Sequence, residues 1–203
     1  MRASNTDRVR PVVSLQEFFK DSVERAMQKQ RVAADDHTAY YLVNLLTLFA
    51  RPEPLLDDRK PLALMLADAA DASDSQERNF RLQRVGDTSL FVAGFFGESF
   101  ARRLVGIDYY IDIGGLAYGS LSANVRGTLR GRIFGAVFAE LAQKFREFVD
   151  VLAEVRDAAR GADDVDILRL YDVWLRTKSA RAARLLRSCG VEPNQALDAQ
   201  MRH

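Results

Sequence analysis

The chain has 203 residues, of which 48% are hydrophobic and 28% charged, a composition that fits one globular domain and excludes a disordered chain. Its 29 basic and 28 acidic residues give a net charge of +1, so no general electrostatic attraction to nucleic acids or membrane surfaces is expected. The single cysteine, Cys189, excludes a disulfide within the chain and favours a reducing compartment.

Neither a secretory signal nor a membrane span is expected from the distribution of apolar residues. The first residues contain no apolar segment of the kind found in signal peptides. The chain also lacks a run of about 18 apolar residues, which a membrane-spanning helix needs. We therefore expect a cytoplasmic protein whose residues 1–13 form a flexible leader.

The first third of the chain predicts three helices. A capping box over 14–17 and an apolar face that includes Phe18 and Val23 predict a helix at about 14–30. Asp35 or Asp36 can cap a second helix, which runs to about residue 50, is apolar on nearly all sides and is therefore expected to be central. Pro61 suits the first turn of a third helix over about 61–72, and residues 70–75 form a possible hinge.

The middle of the chain predicts three further helical segments. Two short helices are expected at about 75–85 and 87–97, with Gly86 as the C-terminal cap of the first and Asp87 as the N-terminal cap of the second. Residues 104–113 alternate between apolar and polar in the manner of a strand, yet they also match one face of a helix. We favour the helix because no partner strand is evident elsewhere.

The strongest periodic signal predicts one long central helix over about 128–160. Large apolar residues recur there at steps of four and three, which is the seam of two packed helices; they are Phe134, Phe138, Leu141, Phe145, Phe148, Leu152 and Val155. A helix at about 164–177 follows, and Ser179 caps a last short one that ends near Ser188. The sequence thus predicts an all-α, single-domain bundle of about seven to eight helices over 14–190, with a flexible tail over 191–203.

Small residues recur at every fourth position from Gly115 to Ala139; they are Gly115, Gly119, Ala123, Gly127, Gly131, Gly135 and Ala139. In a helix such a stripe lies near one face and lets another backbone approach closely. The partner can be a helix of the same chain, a second subunit or a flat ligand. Each glycine costs about 1 kcal/mol of helix stability relative to alanine, so the close approach is expected to return more than this.

A small-molecule pocket between segments 87–100 and 108–120 is one interpretation of the polar and aromatic residues near the stripe. Its candidate ligand-binding residues are Glu98, Arg102, Tyr109, Tyr110, Asp112, Gly115, Tyr118 and Gly119. The glycines match neither a phosphate-binding loop nor a dinucleotide fingerprint. No catalytic or metal-binding residues are assigned, and the cofactor, if the protein uses one, is unknown.

A basic strip near the C-terminus is a candidate partner-binding surface; it consists of Arg176, Lys178, Arg181, Arg184 and Arg187. Three-residue steps would place several of these side chains in one charged band, which could grip phosphates or an acidic segment of a partner. A solvated helix face is the simpler interpretation. The near-zero net charge and the absence of interleaved aromatic residues disfavour nucleic acid.

The sequence therefore leaves three functions open. The first is a non-catalytic helical interaction or regulatory protein that self-associates through the 134–155 seam or the glycine stripe. The second is a small-molecule-binding helical domain, or an enzyme, with the pocket described above. The third is a nucleic-acid binder that uses helix 176–187. The first is favoured because the helix signals are strong and no catalytic motif is recognised.

Overall fold

The computed structural model describes residues 15–50, 60–97, 106–126, 131–160, 170, 173–174, 176–188 and 193. Within these ranges the chain folds as an all-α bundle without strands, which confirms the predicted fold class. The helices are α1 (Leu15–Gln30), α2 (Asp36–Phe49), α3 (Leu62–Ala70), α4 (Ser75–Phe96), α5 (Ile107–Val125), α6 (Gly131–Gln143), α7 (Phe145–Arg160) and α8 (Ala180–Ser188). The predicted leader, and the predicted tail apart from residue 193, lie outside the described residues.

Three of the described helices, α2, α4 and α8, begin at side chains that cap their first turn. Asp35 caps α2 by accepting a hydrogen bond from the amide of His37 at 2.9 Å. Asp74 caps α4 by accepting from two amides of its first turn at 3.0 Å. Ser179 caps α8, since its hydroxyl oxygen accepts from the amide of Ala182 at 3.0 Å. These bonds satisfy amides that have no partner inside the helix.

Helices α4 and α5 form the centre of the bundle and pack extensively on each other. Helix α4 also contacts α3 and α7, α5 also contacts α6, and α1 lies against α2 and α7. The core between them is apolar, and its largest fully buried side chains include Tyr118, Phe148, Leu42, Leu46 and Leu90. Burial of such side chains on several helices at once is the main source of stability for a bundle of this size.

One prediction was wrong at Gly86, which does not end a helix. Helix α4 runs without interruption from Ser75 to Phe96, and Gly86 is buried near its midpoint. A Cβ atom at this position would lie 2.5 Å from Cε1 of Tyr118. The glycine is therefore needed for the close approach of α4 and α5, and Asp87 lies inside the helix instead of capping a new one.

The single helix predicted over about 128–160 is divided in two at Lys144. Helix α6 packs on α5 and α2, whereas α7 packs on α1 and α4, so the two segments serve different neighbours. The Lys144 ammonium group donates to the carbonyl oxygen of Ala33 and pairs with Glu140, both at 2.8 Å. The residues of the predicted apolar seam are buried within the chain, except for Phe134, which is 54% exposed.

The helix predicted for residues 104–113 is confirmed over 107–113, because α5 begins at Ile107 after the N-cap Gly106, whereas residues 104 and 105 lie outside the described residues. The described members of the small-residue stripe are divided between α5 and α6, and Gly127 lies outside the described residues. Added Cβ atoms at Gly115 and Gly119 would meet Ala142 of α6 at 3.8 and 3.9 Å, which are ordinary contact distances. The glycines that close approach requires most strongly are others, namely Gly86, Gly94 and Gly114.

Candidate functional site

A carboxylate and two phenols meet where α2, α4 and α5 converge. The Tyr41 hydroxyl of α2 and the Tyr118 hydroxyl of α5 both donate to Oδ1 of Asp87 in α4, each at 2.6 Å. The Gln83 amide nitrogen, one turn before Asp87 on α4, donates to the Tyr41 oxygen at 3.0 Å. We call these four residues the Asp87 cluster.

The surroundings of Asp87 disfavour its ionised form. Burial raises the pKa of Asp87 from 3.8 to about 6, because the carboxylate loses water, and the hydrogen bonds from Tyr118, Tyr41 and Gln83 offset only part of this effect. Burial and the nearby Asp87 charge also raise the pKa values of both tyrosines. Asp87 nevertheless keeps part of its surface exposed.

A groove of about 400 Å³ opens beside the Asp87 cluster, between α2, α4, α5 and α6. Among the described residues no charged side chain lines it; the lining consists of Tyr41, Gln76, Asn79, Phe80, Gln83, Leu121, Val125, Gly131, Phe134 and Phe138. Two aromatic side chains of the lining are largely exposed, Phe80 at 62% and Phe134 at 54%. The groove is thus apolar, with amide groups along its α4 side.

The groove and the Asp87 cluster share residues and are continuous. Tyr41 and Gln83 line the groove and also belong to the cluster. Phe138 lines the groove as well, meets the Tyr41 ring edge-on at 5.6 Å between centroids and stacks on Tyr118 at 5.9 Å. The combination of an apolar groove, convergent polar groups and a perturbed carboxyl is typical of a ligand-binding site.

The six predicted ligand-binding residues that the structure describes are not brought together into one pocket, because they lie on different sides of α5. Tyr118 is fully buried and faces α4. The Tyr109 hydroxyl accepts from the amide of Ala63 in α3 at 3.1 Å, and the Tyr110 ring contacts Tyr109 edge-on at 5.4 Å. Gly119 faces α6.

Two of the remaining predicted ligand-binding residues lie in a separate cleft. Asp112 and Gly115 line this cleft together with residues of α6 and α7. Glu98 and Arg102 lie outside the described residues. Only Tyr118 of the predicted set therefore belongs to the Asp87 cluster.

The five basic residues near the C-terminus do not form one exposed band. Arg181 is buried, with an exposure of 3%, and pairs with Asp157 and, at 3.9 Å, with Glu154 of α7. Arg184 is exposed but donates to the side-chain oxygen of Gln30 at 2.6 Å. The middle of the predicted band is thus used to hold α8 against α7 and α1.

The other three basic residues are exposed and separately placed. The Arg176 guanidinium lies 3.7 Å from a carboxylate oxygen of Asp108. The Lys178 ammonium lies 4.6 Å from the centroid of the Trp174 ring. Arg187 is in the last turn of α8.

Sequence reasoning missed most of the site because it divided α4 at Gly86. With the helix continuous, Gln76, Phe80, Gln83 and Asp87 follow one another at steps of four, three and four and share one face. The sequence signal for the site was therefore the presence of three polar residues, Gln76, Gln83 and Asp87, on one face of this helix. Tyr41 and Phe134 could not be assigned to this site without the tertiary structure.

Comparison with models of known protein families, with curated proteins and with solved structures gave no match. In the part of the chain that the structure describes, no helix has both the length and the apolar character needed to cross a membrane. Among the same residues, no three His, Cys, Asp or Glu side chains come together as possible metal ligands. In the described part of the chain, the fold is an all-α bundle, and the groove beside the Asp87 cluster is a candidate binding site.

Proposed function

We propose that the protein is a small-molecule-binding helical domain and that its ligand occupies the groove beside the Asp87 cluster. The observation that carries this proposal is that a groove of about 400 Å³, with no charged side chain among its described lining residues, shares Tyr41 and Gln83 with the Asp87 cluster. Pockets for small ligands are usually of about 300–1,000 Å³, mainly apolar, with few polar groups that orient the ligand.

The apolar part of the ligand would contact the aromatic lining. Phe80 and Phe134 stand at the groove with more than half of their surface exposed. Exposed rings of this kind lose water when a ligand packs against them, and each contact of two aromatic groups contributes about 1 kcal/mol beyond burial. Their exposure also means that they contribute little to the stability of the free protein.

Binding of the uncharged dye Nile red, followed by its fluorescence, tests the proposal. Phe80→Ala and Phe134→Ala should each weaken binding by about five-fold, which corresponds to about 1 kcal/mol. Phe96→Ala is the matched control, because Phe96 is also exposed, at 43%, and also belongs to α4, but does not line the groove. Equal effects of all three substitutions, or no binding by the parent protein, would contradict the proposal.

Self-association remains a second proposal, and one observation favours it. Ile133 and Phe134 are adjacent in α6 and are 57% and 54% exposed, so two large apolar side chains face solvent at one place. The rest of the predicted seam is buried within the chain, so a second copy would use the surface around Ile133 and the seam residue Phe134. Light scattering at micromolar concentration, with Ile133→Ser as the test variant, should show a dimer only for the parent protein.

A further inference from the structure

The geometry points to an amine as the ligand of the groove, namely an apolar or aromatic molecule whose protonated nitrogen pairs with Asp87. This inference rests on the proposed function of the groove. Asp87 follows Gln83, a groove residue, by one turn of α4 and is not itself part of the groove lining. It is linked to the groove through Tyr41, whose oxygen lies 2.6 Å from Oδ1 of Asp87. Because Asp87 is partly exposed, a ligand group can reach it.

The polar groups at this end of the groove are arranged to accept hydrogen bonds from a ligand. Both phenol hydroxyls already donate to one carboxylate oxygen, Oδ1 of Asp87. The Gln83 amide is directed at the Tyr41 oxygen. A hydroxyl has one proton to donate, so neither tyrosine can donate to a ligand without leaving Asp87. A ligand group that donates hydrogen bonds therefore suits the site better than one that accepts them.

The charges favour a cationic donor over a neutral one. Across the described ranges Asp87 forms no ion pair, and no basic side chain lines the groove. Tyr41 faces Asp87 from α2 and Tyr118 faces it from α5, while α6 contributes the apolar ring of Phe138 to the same place. An ammonium group would supply the missing opposite charge, and a charge that is partly removed from water interacts more strongly than one in bulk water.

The aromatic rings around the cluster also suit a cation. Tyr41, Tyr118 and Phe138 form a group of mutually packed rings, with centroids 5.6 to 6.4 Å apart. Aromatic rings attract cations, and because Tyr118 and Phe138 are almost fully buried, the partly exposed Tyr41 at the groove is the ring of this group that a ligand cation can approach. The remaining length of the groove toward Phe80 and Phe134 is apolar and can hold the hydrocarbon part of the amine.

The pH dependence of binding follows from Asp87. Since the pKa of Asp87 is about 6, its carboxyl is ionised in nearly all molecules at pH 8 and in about one-tenth of them at pH 5. An ammonium ligand that stays charged over this range should bind about ten-fold more weakly at pH 5. A neutral ligand of the same shape should not lose affinity in this way.

Isothermal titration with 1-naphthylmethylammonium and its neutral counterpart 1-naphthalenemethanol, each at pH 8 and pH 5, tests the inference. We expect the amine to bind at least ten-fold more tightly than the alcohol at pH 8, and this preference to fall about ten-fold at pH 5. Asp87→Asn should abolish the preference, whereas Asp112→Asn should retain it, since Asp112 is an exposed carboxylate of α5 outside the groove.

The outcomes separate the two proposals. Equal affinities for amine and alcohol, or a tighter alcohol complex, would overturn the amine inference and leave the groove as a binding site for neutral molecules. Absence of binding by both compounds and by Nile red would overturn the amine inference together with the proposed function. Should Asp87→Asn fail to fold, the two pH values with the parent protein decide the question alone.

Discussion

Replacement of Asp87 by asparagine should change how the stability of the protein depends on pH. The substitution keeps the size of the side chain and one oxygen that can accept from the tyrosines, but it removes the titration. In the folded protein the pKa of Asp87 is about 6, against 3.8 for an exposed aspartate. At about 1.36 kcal/mol for each pH unit, this interval corresponds to at most about 3 kcal/mol of unfolding free energy.

The direction of the effect follows from proton binding. Below pH 3.8 the carboxyl is protonated in both the folded and the unfolded chain, so its ionisation costs nothing. Between 3.8 and about 6 the folded protein holds a proton that the unfolded chain releases, so stability falls as the pH rises. Above this window the ionised, partly desolvated carboxylate imposes the full cost. The Asp87→Asn variant has no carboxyl group to ionise, so it does not lose stability in this way.

Urea unfolding at a series of pH values from 4 to 8 measures the effect, with the fluorescence of the single tryptophan as the signal. The free energy of unfolding of the variant, minus that of the parent, should increase by about 2 to 3 kcal/mol over this range. The titrations of other groups are common to both proteins and cancel in the difference. A difference that stays constant, or that decreases with rising pH, would refute the assigned environment of Asp87.

Two further substitutions test the packing. Gly86→Ala should destabilise the protein by about 1–3 kcal/mol, because the added methyl group would collide with the buried Tyr118 ring. Gly115→Ala should be neutral or stabilising by up to about 1 kcal/mol, because an added Cβ atom there meets only ordinary contacts. Thermal unfolding compares the two variants, and equal effects would contradict the requirement for close helix approach at Gly86. Arg181→Leu should cost about 3 kcal/mol in urea unfolding because it leaves Glu154 without one partner in a buried region, and a change below about 0.5 kcal/mol would contradict this.

Much of the local structure could be predicted because it depends on residues close together in the chain. The caps Asp35 and Ser179 act on amides two or three residues away, so their role is visible in the sequence. The period of apolar residues likewise predicts which segments are helical and which face is buried. These features led to the correct fold class.

Local information did not decide which helices are continuous. Gly86 and Asp87 form a plausible helix boundary by themselves, yet α4 passes through both because its other residues pack against α5 and α7. Conversely, the uninterrupted pattern around Lys144 did not prevent a division between α6 and α7, which pack on different partners. At Gly86, tertiary packing outweighs a local cost of about 1 kcal/mol for a glycine inside a helix.

The sequence by itself determined that this protein is an all-α bundle, because helical periodicity and capping are short-range properties. The tertiary structure alone decided where the candidate site lies. Asp87 and Tyr118 are 31 positions apart, and Asp87 and Tyr41 are 46 apart, so only folding brings their polar groups within 2.6 Å. The raised pKa of Asp87 arises from burial among helices distant in sequence, and no spacing of residues along the chain records that environment.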